Sequence, residues 1–249
     1  MSKLQFLGGA LPDVKDDRDF PATRLLVREV ALPDEFIVYK DTIIYDQGQT
    51  PQCVGYSSAG VKTDEEFKER GKQIRFNGRW VYEQCKKEDG IPGVEGTYPR
   101  VACKVLQQQG CKTVTAAETC PVRFLKPKPP TPTPEDIAKW KIDAYYRIDP
   151  KSTIEFVKQI IFQFGSILTA SRWYANWMEK FSVFPAPIGE TNAGHAYKTA
   201  GWNPIGFFIF NSWGKILWGK SGIAVMPYAI FMSYVLSEGD CWKLVDHVA

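Results

Sequence analysis

Polar and apolar positions change their period along the chain. From Cys53 to about Arg70 the residues read as a helix entered from the turn-rich loop around Gly48 and Pro51. A second helical stretch, about Asn77 to Lys87, carries Trp80, Val81 and Cys85. A third, about Arg100 to Gln109, sets Val101, Ala102, Val105 and Leu106 at helical spacing and has Gly110 as its cap. Lys126 to Pro134 is a stiff proline-rich connector. Beyond it the period shortens. Tyr145 to Ile148 predicts a short strand, and Ser152-Thr153-Ile154-Glu155 reads as a capping box. The helix it opens has Ile154, Val157, Ile160, Ile161 and Phe164 on one side and Gly165 as its stop. Ser166 to Ser171, His195 to Trp202 and Gly206 to Asn211 predict strands, the last a continuous apolar and aromatic run suited to burial. A helical lobe over 32–135 followed by a β-rich lobe over 136–249 makes the expected class α+β. Residues 1–31 form an arm whose charged cluster, Asp13 to Asp19, reads as a solvated extended segment.

Composition narrows the partners. The 249 residues are 44% hydrophobic, enough for two lobes around sizeable cores. With 31 basic against 28 acidic residues the net charge is +3, too balanced to argue for nucleic acid or an anionic membrane. No apolar run approaches the ~18 residues of a spanning helix. The N-terminus lacks the sustained apolar region of an export signal, so a reduced, intracellular setting is the default expectation. Six cysteines occur, at 53, 85, 103, 111, 120 and 241. Their wide gaps, without a Cys-x-x-Cys and with only two histidines, argue against zinc, and no cofactor is expected. Whether Cys111 and Cys120 pair is left open.

Cys53 stands out among the thiols. At a helix N-terminus it faces unpaired N–H groups and the positive end of the dipole, both of which favour thiolate. Most free cysteines are inert small hydrophobes, so the position alone proves little. Nucleophilic use needs a nearby base and a group that orients it. His247 lies close to the C-terminus, which leaves His195, after Gly194 at the head of a predicted strand, as the credible base. Asn211 ends the next predicted strand. Its amide oxygen could accept from one ring N–H and turn the other nitrogen toward the sulfur.

The order Cys53, His195, Asn211 and the string Asn211-Ser212-Trp213-Gly214 resemble the papain family of cysteine peptidases. His195 and Asn211 lie about 140 and 160 residues after Cys53, near the ~130–150 residues typical of that family. The resemblance, over about 32–240, implies a two-lobed papain-like fold with the cleft between the lobes. It implies a Cys53–His195–Asn211 triad resting as thiolate and imidazolium, and Gln47 as the oxyanion-hole amide. It also implies that Trp213 shields the Asn211–His195 bond. Glu95 to Pro99 is similar to the family's substrate-binding glycine segment. Gly96, Thr97, Tyr98, Pro99, Ala193, Gly194 and Ala196 are the implied contacts to a peptide or protein substrate, with an apolar residue preferred two before the cut (P2). The implied activity is endopeptidase. A peptide ligase, or a non-catalytic peptide-binding protein on the same scaffold, are the alternatives. Several positions depart from the pattern: Thr50 replaces a structural cysteine, Val54 replaces the Trp after the nucleophile, and Thr97 replaces a second glycine. One extra residue follows Asn-Ser-Trp-Gly before Trp218-Gly219, and the long helical propeptide is missing. These departures point to a prokaryotic or viral branch without disulfides. The arm is expected to pack along the lobes or into the cleft and to restrain activity.

Overall fold

The computed structural model describes residues 8–114 and 132–246, with the side chains of 190–192 left out of that description. Cys120, His247 and most of the proline-rich connector fall outside the described residues.

Three helices form one side of the molecule: α1 (Cys53–Arg70), α2 (Gly78–Glu88) and α3 (Pro99–Gln108). Asn77 caps α2 by accepting from the Trp80 amide at 2.9 Å. Pro99 takes the first turn of α3, where its missing N–H costs nothing. After the short α4 (Pro134–Ala138), α5 (Ile154–Phe164) packs on the sheet. Its cap differs from the expected box: Thr153, not Ser152, accepts from the Phe156 amide, so Glu155 is displaced from the reciprocal position. The reciprocal arrangement occurs instead at Thr133 and Asp136 of α4.

The sheet has seven antiparallel strands: β1 (Phe36–Ile37), β2 (Ala144–Arg147), β3 (Ile167–Tyr174), β4 (Glu190–Trp202), β5 (Gly206–Phe210), β6 (Ile223–Pro227) and β7 (Asp240–Val245). Their order is β2-β7-β3-β4-β5-β6, with β1 added to β4. Strand β4 begins five residues earlier than the pattern suggests, so His195 sits inside the strand rather than at its head, opposite Ser171. Among the described residues two apolar clusters result. One gathers α5 with residues of β3 to β7, Trp173 among them, and with Trp177, Trp213 and Trp218. The other gathers α1–α3 with Leu168, Ala170, Ala196, Trp242 and Leu244 from the sheet.

The middle of α1, residues 62–66, is buried without being apolar. Lys62, Asp64, Glu65 and Glu66 are each under 5% exposed. Lys62 pairs with Glu66 at 2.6 Å and with Asp246. Lys198 of β4 reaches Asp64 at 2.8 Å, and Lys243 of β7 pairs with Glu65. Charged side chains thus join α1 to the sheet, because a buried charge is tolerated only beside a partner.

The arm is docked at intervals, while Lys15, Asp17 and Arg18 keep their side chains in solvent as expected. Asp13 is enclosed between α3 and β7, accepting from the Arg100 amide at 3.1 Å and from the Trp242 indole at 2.8 Å. Arg100 also holds Asp19 at 2.5 Å. Further along, Ala22 and Leu25 join the larger apolar cluster, and Gln159 of α5 ties down Val30. No helix among the described residues is long and apolar enough to cross a membrane.

Candidate active site

Cys53 is the first residue of α1, and Gln52 before it offers no side-chain acceptor to the helix N–H groups. The sulfur is fully buried, and burial pushes its pKa up to about 11. Backbone amides of Ala196, Gly9 and Val54 act on it in the opposite direction, favouring thiolate. Ala196 follows His195 directly, so the nucleophile candidate lies against the strand that carries the base candidate. One turn along α1, Ser57 fixes that contact by donating to the Ala196 carbonyl at 2.8 Å.

The His195 ring nitrogen Nε2 lies 2.8 Å from Asn211 Oδ1. Nδ1 is buried with no hydrogen-bond partner, which leaves it as the nitrogen available to a thiol or a leaving group. Trp213 covers the imidazole with ring centroids 4.5 Å apart. Trp173 packs on it as well, edge to face, at 4.6 Å. Burial lowers the His195 pKa to about 4, partly offset by the bond to Asn211. The two shifts favour neutral thiol and neutral imidazole in this covered state, rather than the ion pair expected from the sequence. Desolvation penalises both charges together.

Gln47 is buried beside this group. Its amide Nε2 donates to the Thr50 carbonyl at 2.6 Å, and its Oε1 accepts from the Ser212 hydroxyl at 2.6 Å. Thr50, where a cysteine was expected by resemblance, closes the same turn by donating to the Gln47 carbonyl at 2.6 Å.

The cleft above these residues holds the chain's own arm. Gly9 and Ala10 donate to the Gly194 carbonyl at 3.0 and 3.1 Å. Thr97 donates to the Gly9 carbonyl at 2.9 Å and accepts from Leu11 at 3.0 Å. Residues 9–11 therefore sit as an added strand between Thr97 and Gly194. Thr97 pairs through its backbone despite its side chain. A Cβ at Gly96, whose φ is +87°, would come within 2.6 Å of the Gly9 carbonyl, so only glycine permits this approach.

Ala193 and Gly194 line a cavity of about 380 Å³ beside the arm. Ala170, Ser171, Glu238 and Gly239, which share its wall, carry no local signal of it, because they converge from β3 and the approach to β7. Tyr98 is the residue before α3, and Pro99 is buried in its first turn. Ala196 is fully buried below the cleft.

Known structures of the same shape give this geometry its context. No protein-family model matches the sequence, and no curated protein matches it. Xylellain, a cysteine protease from Xylella fastidiosa, superposes with a TM-score of 0.77 at 21% identity over 96% of both chains. Procathepsin B S9 from Trypanosoma congolense matches at 0.68 and 19% identity, over 97% of this chain and 87% of that one. A cysteine protease of Carica candamarcensis, solved in complex with E-64, matches at 0.64 and 16% over 87% and 100%. The chain has the papain-like α+β fold.

Proposed function

We propose that this protein is a cysteine endopeptidase in which Cys53 attacks the scissile carbonyl, with residues 8–11 held in the cleft as a restraint. The observation that carries the reading is the His195–Asn211 bond at 2.8 Å, with Nδ1 unpartnered on the strand segment that meets Cys53. His195 takes the thiol proton, and the thiolate adds to the carbonyl carbon. The negative oxygen is held by the Cys53 backbone N–H and the Gln47 amide, an electrostatic contribution of about 3 kcal/mol per donor. His195 then protonates the leaving amine. Water, deprotonated by His195, hydrolyses the thioester and regenerates the thiol. Asn211 keeps the ring turned, and Trp213 keeps water from that bond. Arg172, Glu238 and Asp240 share the wall of the adjoining cavity with Ala170 and Ala193, so its lining is mixed. The apolar P2 preference follows from the likeness to the family and from the arm residues seated there, Ala10, Leu11 and Pro12.

The test is cleavage of a peptide library by the full chain beside its Cys53→Ala variant. Cuts present in the first and absent from the second support the reading. Identical products, or none from the full chain with the arm loosened, would count against it.

The arm's restraint has its own test. At Gly9 any Cβ would fall inside the van der Waals shell of the Pro51 carbonyl, so Gly9→Val cannot seat as the parent does. This variant is expected to raise peptide turnover by tenfold or more, since each 1.4 kcal/mol of lost docking shifts the open fraction about tenfold. Asp13 sets the pH dependence. Burial and the neighbouring Asp240 raise its pKa to about 7, against the opposing pull of Arg100 and the Trp242 indole. Arg147 and Asp19 complete the charges around it. The docked arm therefore holds a proton that the released arm gives up. Docking is strongest below the ordinary aspartate range and weakens as pH rises from about 4 to about 7. Hydrogen exchange at residues 8–13 should speed up across that window beyond its intrinsic pH dependence, and Asp13→Asn should abolish the excess. An excess that persists in Asp13→Asn would remove Asp13 from this role.

A further inference from the structure

Two side chains of α2 reach the wall of the cleft. Tyr82 and Lys86 stand four residues apart and so share one face of that helix. Both meet Gly96, on the segment with which the arm pairs. The Gly96 N–H donates to the Tyr82 hydroxyl at 3.1 Å, and Lys86 Nζ donates to the Gly96 carbonyl at 3.1 Å. The same ammonium also donates to Asp89 at 2.7 Å and to the Ile91 carbonyl at 3.2 Å, on the loop between. Asp89 in turn accepts from the Ile91 N–H at 3.2 Å.

These bonds fix a peptide plane. The Gly96 carbonyl and the Thr97 N–H belong to one planar trans unit, so a donor held on the first aims the second. That Thr97 N–H donates to the Gly9 carbonyl of the arm at 2.9 Å, while the Thr97 carbonyl accepts from Leu11 at 3.0 Å. Gly96 has φ +87° and no side chain to limit it, so the planes on either side of its Cα are free to turn. Tyr82 holds the plane before that Cα, and Lys86 holds the plane after it. The loop leading in has little other anchorage: residues 92–95 are exposed, and Gly90 and Gly93 also have positive φ. A positive charge on the Gly96 carbonyl further polarises the plane and strengthens the Thr97 N–H as a donor.

Building on the peptidase reading, we propose that Tyr82 and Lys86 are positioning residues for the substrate backbone. They hold Gly96 by both of its backbone groups and so set Thr97 to pair with an extended peptide in the cleft, the arm or the substrate in turn. Neither touches a reacting atom. Their effect falls on peptide binding and leaves the chemistry at Cys53 unchanged.

The test measures arm docking in the full chain, and kinetics in the full chain carrying Gly9→Val. Tyr82→Phe removes the hydroxyl and keeps the ring. Lys86→Met is combined with Asp89→Asn, because the Asp89 side chain is buried and would otherwise be left as an unpaired charge. Arg79→Ala, at an exposed position of the same helix, is the control. With the arm loosened, Tyr82→Phe and the Lys86→Met combination are each expected to raise KM for a peptide about 3- to 10-fold, with kcat within about twofold. Iodoacetamide needs no backbone pairing, so its rate of Cys53 alkylation should stay within about twofold of the parent. In the full chain, hydrogen exchange at the Leu11 and Thr97 amides should speed up about 3- to 10-fold, while amides in the β4–β5 pairing keep parental rates. Arg79→Ala should change none of these.

Unmoved exchange at Leu11 and Thr97, equal acceleration across β4 and β5, or losses of kcat and alkylation parallel to the rise in KM would each overturn the role of Tyr82 and Lys86. A parent without Cys53-dependent turnover, whose Leu11 and Thr97 amides still exchange faster in these variants, would sink the peptidase reading. It would leave the two residues as anchors of the segment that docks the arm.

Discussion

Replacing His195 with alanine is expected to reduce peptide turnover on the order of 10⁶-fold, the scale seen when the base of an acyl-transfer triad is removed. The size follows from the base's two duties. In the proposed mechanism it takes the proton from Cys53, and it returns one to the amine that leaves. A peptide nitrogen expelled without a proton is a very poor leaving group, and a neutral buried thiol is a poor nucleophile. Alkylation of Cys53 near neutral pH should therefore fall as well, since a thiol with a pKa of about 11 in the covered state ionises little without help. Asn211 should matter less, because it orients the ring and does not exchange the proton. The ring also fills space between Trp173 and Trp213, so a melting curve must accompany the kinetics. A folded His195→Ala protein that retained a substantial fraction of parental turnover would remove His195 from the mechanism.

Lys243→Met is expected to destabilise the fold by about 3–5 kcal/mol, measured as a lowered urea midpoint, because it strands Glu65 as an unpaired buried charge. Lys243 is fully buried and also donates to the Ser166 carbonyl at 3.1 Å. Burial raises the Glu65 pKa, and the lysine works against that rise. Removing the lysine leaves the burial unopposed. Glu65 then takes up a proton more readily or draws water into the contact between α1 and β7. Replacing both partners, Glu65→Leu with Lys243→Met, should recover most of the loss, since the charges then need no solvation. A single variant as stable as the parent would mean that water already reaches this pair. Equal loss in single and double variants would mean that packing, rather than charge, was disturbed.

Helix and strand positions were legible where local chemistry decides them. The Cys53–Arg70 helix appears with the expected ends, and Asn77 and Gly165 act as its neighbours' start and stop signals. Strands β6 and β7 were missed, as was the early start of β4. Their pairing partners supply the hydrogen bonds, and an edge such as Glu190 carries no local strand signal. The cap of α5 fell on Thr153 because two adjacent hydroxyl residues satisfy the same rule, and packing chose between them. At the site, the Asn-Ser-Trp-Gly string located Asn211 and Trp213, while Trp173, also against the imidazole, follows an ordinary apolar run. Within the charged cluster Asp13 to Asp19, Lys15, Asp17 and Arg18 stay in solvent as expected, but Asp13 is enclosed. Its acidic character suits water equally well as a pocket built from Arg100, Arg147 and Trp242, and those three arrive from distant elements.

Taken alone, the amino-acid order determined which residues could do chemistry and which segments would be helix or strand, since caps, periodicity and turn residues act within a few positions. Only tertiary structure decided that the arm fills the cleft, that three lysines meet the acidic run of α1, and that Ser212 bridges Gln47 to the strand bearing the base candidate's partner. Each depends on groups brought together from remote parts of the chain, such as Asp13 and Trp242. Their contact energies exist only after folding has expelled water between them, so no local pattern encodes them.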